Sequence, residues 1–321
     1  VKVLLSVLPT GLFYFTFMPK KYSVAFIGFA PTFLGSVLFS TKAIIVKKAF
    51  ANIEIDALSL LTLRMLFALP FYIMVLVVTR QNDASLTARQ WLQLVVVGLL
   101  GYYISSYLDF EGLRYISAGL ERLILFLYPS FVVLINAVVF RQQIQKNQRI
   151  ALLLTYSGIG LAYAGEFNLY HLEPGFFVGG LLIFLCSITY ALYIVGSGRL
   201  IPLTGATKFT SYAMLAATAG IFIHFLMRHE ASSMITVAQQ HWVYGLLLGI
   251  IATVLPSYLI AGGTKRIGSN NVAIISSIGP VSTIIQAWWF LGETIHWSQL
   301  AGTVLVIAGI LILGRKKQAK E

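Results

Sequence analysis

The sequence predicts an all-α membrane protein: ten transmembrane helices arranged as two inverted five-helix repeats. Three observations carry that prediction. The composition is too apolar for water, ten separate segments have spanning length, and the two halves of the chain align on each other without gaps.

Of the 321 residues, 58% are hydrophobic and 11% are charged, and the mean hydropathy is +0.84. Soluble domains carry roughly 25% charged residues. A soluble chain of this length cannot hide so much apolar surface, so lipid must be the solvent for most of it. In a soluble protein the net charge of +12 would point to nucleic acid. Here the basic residues are spread over short loops with no compact basic domain, as the positive-inside rule requires, and no nucleic-acid partner is expected. Cys186 is the one cysteine, which excludes an intrachain disulfide. The five histidines (His171, His224, His229, His241 and His296) stand singly, so no metal site is expected.

A helix that crosses a bilayer needs about 20 mostly apolar residues. Ten segments approach that length: 23–46, 58–79, 90–108, 117–139, 148–165, 175–197, 208–227, 242–262, 271–291 and 297–314. Runs such as Leu94 to Leu100 and Val304 to Leu313 are apolar on every side, unlike the alternating strands of a membrane β-barrel. Loop charge sets the orientation. With the N-terminus inside, only Lys47, Lys48, Arg114 and Arg228 of the 23 Lys and Arg fall in outer loops. Lys42, Arg64 and Arg122 lie within or beside spans, Lys2 precedes them, and the other fifteen are on the inner side. Ten spans then place both termini in the cytoplasm, in a bacterial inner membrane. The stretch from Val3 to Phe17 is short for a span and contains Pro9. Met18-Pro19-Lys20-Lys21 reads as a natural basic start, so residues 1–17 are expected to be an over-extended beginning within an N-terminal tail of 1–22, with an extra interfacial helix as the alternative.

The repeat is read at an offset of 151 residues. Ile116 meets Ile267, Ile124 meets Ile275, Pro129 meets Pro280, Ile144 meets Ile295, and Gly158-Ile159 meets Gly309-Ile310. This divides the chain into a first unit at 23–165, a second at 175–314 and a basic tail at 315–321. Five is an odd number of spans, so the second unit enters the membrane inverted. Inverted repeats supply two nearly equivalent conformations, one open to each side, which favours a carrier.

On these residues the chain resembles the ten-helix EamA-type carriers of the drug/metabolite transporter superfamily. The resemblance covers about 23–314 and rests on Gly35-Ser36, Arg64, Tyr115-Ile116-Ser117-Ala118-Gly119-Leu120, Pro129, and Pro280 with Leu291-Gly292-Glu293. It implies a central cavity lined mainly by spans 1, 3, 4, 6, 8 and 9, and export of amino acids, related small metabolites or drugs. An importer and an integral-membrane enzyme acting on lipid are the alternatives. One departure stands out: Gln142 occupies the place where the family commonly has glutamate after span 4.

Ionisable residues at membrane depth are functional suspects. They are Lys42, Arg64, Glu121 and Arg122, with Asp109, Glu111 and Arg114 nearby in an expected outer turn. The repeat mates of the first four are uncharged (Tyr193, Leu215, Val272 and Ala273), so the cluster belongs to one repeat. Two readings stay open: a gate or a site for a substrate carboxylate, or ion pairs that fix helix packing. Glu121 and Arg122 are about 100° apart on a helix, so at most one points squarely into a cavity. Tyr103 and Tyr107, at i and i+4, and Tyr190 with Tyr193 are candidate cavity walls. Pro129 and Pro280, as repeat mates, are candidate hinges. No phosphate loop or dinucleotide fingerprint appears, so no catalytic residue or cofactor is expected. The expected partners are a small-molecule substrate and the lipid bilayer.

Overall fold

The computed structural model describes residues 20–79, 86–141, 143–170, 174–276 and 278–314. The expectations for residues 1–19, Gln142 and the tail at 315–321 lie outside the described residues. All regular structure among the described residues is helical. The helices are α1 (Lys20–Asn52), α2 (Ala57–Val78), α3 (Ala88–Gly98), α4 (Ser105–Gly112), α5 (Ala118–Leu125), α6 (Tyr128–Val139), α7 (Lys146–Tyr170), α8 (Phe176–Thr204) and α9 (Ala206–Arg228). They continue with α10 (Ala231–Gln240), α11 (Trp242–Leu246), α12 (Leu255–Ser276), α13 (Ile278–Leu291) and α14 (Trp297–Gly314). π-helical turns at Leu99–Ile104 and Leu247–Val254 join α3 to α4 and α11 to α12 into continuous rods.

Eight stretches are long and apolar enough to cross a bilayer, and two shorter apolar helices, Ile278–Leu291 and Trp297–Ile312, accompany them. The outward faces agree with a lipid solvent. Val77, Leu153, Val138 and Met227 are 69%, 70%, 78% and 79% exposed, a cost that water would charge and hydrocarbon does not. Polar caps start helices where chemistry allows. Asp56 accepts the Ser59 N–H at 2.9 Å to begin α2, and Thr87 with Gln90 forms a capping box on α3.

Three intervals differ from the sequence expectation. The third span was expected to end at 108, but α4 carries the helix to Gly112, so Asp109 is buried inside the bundle and not in an outer turn. The interval between the expected spans at 242–262 and 271–291 is helical throughout as part of α12. The expected outer loop after 227 contains α10. One cause covers the first two and, in the third, the polar stretch that forms α10 as a separate helix after the break at His229. Hydropathy reports which residues prefer lipid, whereas a helix ends only where its hydrogen-bond ladder does, and none of these intervals contains a proline to end it.

Several close crossings recur in reciprocal pairs. A Cβ on Gly158 of α7 would sit 2.6 Å from the Gly302 carbonyl oxygen of α14, and one on Gly309 would sit 2.8 Å from that of Ala151. Residues 302 and 309 are 151 and 158 moved by the repeat offset. Likewise a Cβ on Gly112 would lie 3.2 Å from the Gly179 carbonyl oxygen, and one on Gly263 would lie 3.5 Å from that of Gly28. Small residues permit these approaches, on which packing in lipid depends. Gly158→Leu should therefore push α7 off α14 and destabilise the fold by more than the ~1–3 kcal/mol of ordinary core overpacking. Leu161→Ala, on a lipid-facing side chain of the same helix, should be nearly neutral. Thermal unfolding in detergent compares the two, and equal melting temperatures would contradict the packing argument.

Candidate functional site

The helices enclose a cavity of about 300 Å³. α1 contributes Ser36, Phe39 and Lys42, and α2 contributes Arg64. The α3–α4 rod presents Tyr102, Ser105, Ser106 and Asp109, spaced i, i+3, i+4 and i+7 on one face. Arg122, Phe126 and Tyr128 enter from α5 and α6, Cys186 and Tyr190 from α8, and Ile260, Val272 and Ser276 from α12. Spans 1, 3, 4, 6, 8 and 9 are all represented, with Arg64 of the second span as an addition.

Charge concentrates at one end. Lys42 Nζ lies 2.6 Å from Asp109 Oδ2 and 3.6 Å from Glu121 Oε1. All three residues are buried, Glu121 completely. The two carboxyls are also within hydrogen-bonding reach of each other, so one lysine holds a carboxyl pair together. Arg64 is fixed differently. Its Nε donates to Thr253 Oγ1 at 2.8 Å and its Nη1 to Ser106 Oγ at 3.1 Å, with the guanidinium 5.7 Å from the Phe110 ring centre. Arg122 is flanked by Phe126 at 5.3 Å and Phe39 at 6.0 Å, and its buried Nε has no hydrogen-bond partner among the described residues.

The expected aromatic positions separate. Tyr190 lines the cavity, its ring 5.0 Å from that of Tyr128. Tyr193 stands behind it, buried against Gly101, with its hydroxyl 2.8 Å from that of Tyr102. Tyr103 and Tyr107 face α9: the Tyr103 hydroxyl is 2.9 Å from His224 Nδ1, and the Tyr107 ring is 5.2 Å from the same imidazole. The cavity takes the neighbouring stripe that begins at Tyr102. Asp109, named from the sequence only as a neighbour of the charged cluster in an outer turn, joins Tyr102, Ser105, Ser106 and Tyr128, which were not singled out. The first four form a polar stripe at helical spacing in an apolar span, a signal that was available. Of the two prolines, Pro280 lies within α13, and Pro129 is the second residue of α6 and begins that helix just after the turn at Phe126 and Leu127. A first-turn proline loses no intrahelical bond.

A second polar group closes around the start of α5. Glu293 accepts the Ala118 N–H at 3.0 Å and the Gly119 N–H at 3.4 Å. Ser117 caps the same helix and donates its hydroxyl to Glu166 Oε1 at 2.7 Å, and Gln299 donates to that same oxygen. Lys47 Nζ donates to the Ile116 carbonyl at 2.8 Å. Glu293 thus ties the turn after α13 to the first repeat.

The model of the EamA-like transporter family matches residues 26–164 and again 177–315, 151 residues on. The chain is 32% identical over 297 residues to the uncharacterized transporter YcbK of Bacillus subtilis (strain 168), covering 90% of this chain and 94% of that one. It is 25% identical over 202 residues to a probable amino-acid metabolite efflux pump of Salmonella typhimurium (strain LT2), covering 61% and 67%. A crystal structure with 16% sequence identity superposes with a TM-score of 0.62 over 91% of this chain and 96% of the other, a likeness of fold.

Lys42→Met should leave two buried carboxyls facing each other without a cation and destabilise the protein by roughly 3–5 kcal/mol. Adding Asp109→Asn and Glu121→Gln should recover most of that loss. Chemical or thermal unfolding of the purified variants in detergent measures both steps. A single variant as stable as the parent would show that the charges do not hold these helices together.

Proposed function

We propose that this chain, which belongs to the EamA-like transporter family, is a secondary or facilitative carrier that exports small metabolites, of the kind of amino acids and related compounds, or drugs. The observation that carries the proposal is the cavity of about 300 Å³ bounded by both repeats, with charged side chains at membrane depth. Charge in that position is costly, and ionisable groups at membrane depth mark substrate pathways. The relative from Salmonella that is called an amino-acid metabolite efflux pump favours the same class of cargo.

The proposed architecture has ten spans in two inverted units, 23–165 and 175–314. The repeated family match and the reciprocal glycine contacts support it, because contacts in which i meets j and j's mate meets i's mate are those of a two-fold relation. With ten spans and Lys and Arg concentrated in alternate loops, both termini face the cytoplasm of an inner membrane. On that topology the Glu293–Ser117–Glu166–Gln299 group closes the outer end, and the cavity extends inward along α12. Pro129, which follows the turn at Phe126 and Leu127, and its repeat mate Pro280 are the places where the two units bend as the open side changes.

Purified protein in liposomes should show saturable counterflow of a small metabolite. Ser105→Trp, which fills the cavity, should lower the flux at least about tenfold while gel filtration shows a folded protein. Undiminished flux in that variant would move the path elsewhere. A periplasm-dependent reporter fused after Lys320 should stay inactive, and activity there would overturn the span count or the orientation.

A further inference from the structure

We infer that the cavity binds its cargo as a compact monoanion whose carboxylate pairs with Arg122. This rests on the carrier reading and narrows its cargo, from amino acids and related compounds to the related acids that carry no ammonium. Lys42, Arg64, Arg122 and Asp109 line the cavity, and Glu121, completely buried, joins them through Lys42. Lys42 engages both acids. Among the described residues no carboxylate lies within ion-pair distance of either arginine, so even with both acids ionised the cluster is at least one negative charge short. An uncompensated charge at membrane depth draws in a counter-ion.

The two arginines are not equivalent. Arg64 is held in place by the Thr253 and Ser106 hydroxyls. Arg122 lines the cavity with no hydrogen bond among the described residues, and its Nε is buried and unpartnered. Phe39 and Phe126 flank the guanidinium, and it rests on the bare face of Gly279, where a Cβ would come within 2.9 Å of Nη2 and 3.4 Å of Nε. That cradle holds the fork extended before any ligand arrives, and a planar carboxylate matches it with two parallel hydrogen bonds. Beyond Arg122 the wall is Tyr128, Tyr190, Ile260 and Val272, which suits an apolar or aromatic body. The volume is at the low end of ligand pockets, roughly 300–1,000 Å³, and limits the cargo to small molecules. A zwitterion fits less well, because both acids that could receive its ammonium already face Lys42.

Binding of matched probes to the purified protein in detergent tests this. One series is 3-phenylpropanoate, 3-phenylpropanamide, phenethylamine and phenylalanine; the other is hexanoate, hexanamide and hexylamine. At least one acid should bind about tenfold or more tightly than its amide, amine or zwitterion. Arg122→Gln should abolish that preference and leave amide binding unchanged. Gly279→Ala, which keeps the charge but crowds the guanidinium, should weaken the acid alone. The anion site is overturned if neither acid binds, if an amide, amine or zwitterion binds as tightly as the acid, or if the preference survives Arg122→Gln in protein that elutes and melts like the parent. Liposome flux of a neutral or cationic cargo would then leave the carrier reading standing. Tight acid binding without flux of any probe would count against that reading while the site remained.

Discussion

In hydrocarbon a charged side chain must find its own neutraliser, and the interior of this protein is organised around that constraint. Lys42 can sit at the centre of the bundle only because α4 delivers Asp109 to 2.6 Å and α5 delivers Glu121 to 3.6 Å. Three helices are therefore fixed relative to one another by groups that would be costly to separate. The helical register follows. With Asp109 held inward, the i−3, i−4 and i−7 positions (Ser106, Ser105 and Tyr102) turn inward too. Tyr103 and Tyr107 are carried to the adjacent face, against His224. The π turn at Leu99–Ile104 adjoins this stripe, where a local change of register re-aims side chains toward a cavity.

The second organising feature is the free end of α5. A helix that starts inside a membrane protein exposes backbone N–H groups that have no intrahelical acceptor. Ser117 satisfies one and Glu293 two, and the carboxylate also complements the positive end of the helix dipole. The contact joins the halves of the chain through the Leu291-Gly292-Glu293 turn, in which Gly292 adopts a φ of 70° that a side chain would strain. The corresponding place in the other half differs in backbone and in sequence. There α12 runs on without a free end, and the repeat mate of Glu293 is Gln142. Where no N–H groups are exposed, an acid to receive them has no task, and an uncharged amide at the mate position is consistent with that.

Much of this was legible in the sequence for reasons that can be named. The apolar runs, the repeat offset and the four intramembrane charges are local facts about composition and spacing, and each maps onto helices or cavity residues. Two kinds of information were not legible. Asp109 was assigned to a turn because hydropathy falls at that point, although the helix does not end there. The partition between Tyr102 and Tyr103 depends on rotating one helix by about 100°, which only packing against neighbours decides. The pairing of Lys42 with two acids lay further out of reach, because their separation along the chain carries no trace of distance in the bundle. Pro129 shows a subtler loss: its depth was readable, but whether a helix bends around it or begins at it was not.

Symmetry and chemistry then separate. The backbone crossings obey the repeat, with α7 on α14 and α4 on α8 mirrored by α12 on α1. The charges do not, since the mates of Lys42, Arg64, Glu121 and Arg122 are Tyr193, Leu215, Val272 and Ala273. A two-fold scaffold with identical linings would offer the same surface to either side of the membrane. This one carries its ionic cluster toward one end of the cavity, and the opposite wall is hydroxyls and hydrocarbon, Ser36 and Ser276 joined at 2.9 Å beside Ile260 and Val272. On the carrier proposal, two backbone arrangements related by the repeat would therefore not be equal in energy, because only one end of the cavity contains groups that must stay neutralised as the helices shift. The lysine can do this with two acids in reach: as one carboxyl leaves, the other remains. That makes the pair of acids around a single cation, a redundancy in a rigid protein, a reasonable requirement in one whose helices must shift without ever baring a charge to lipid.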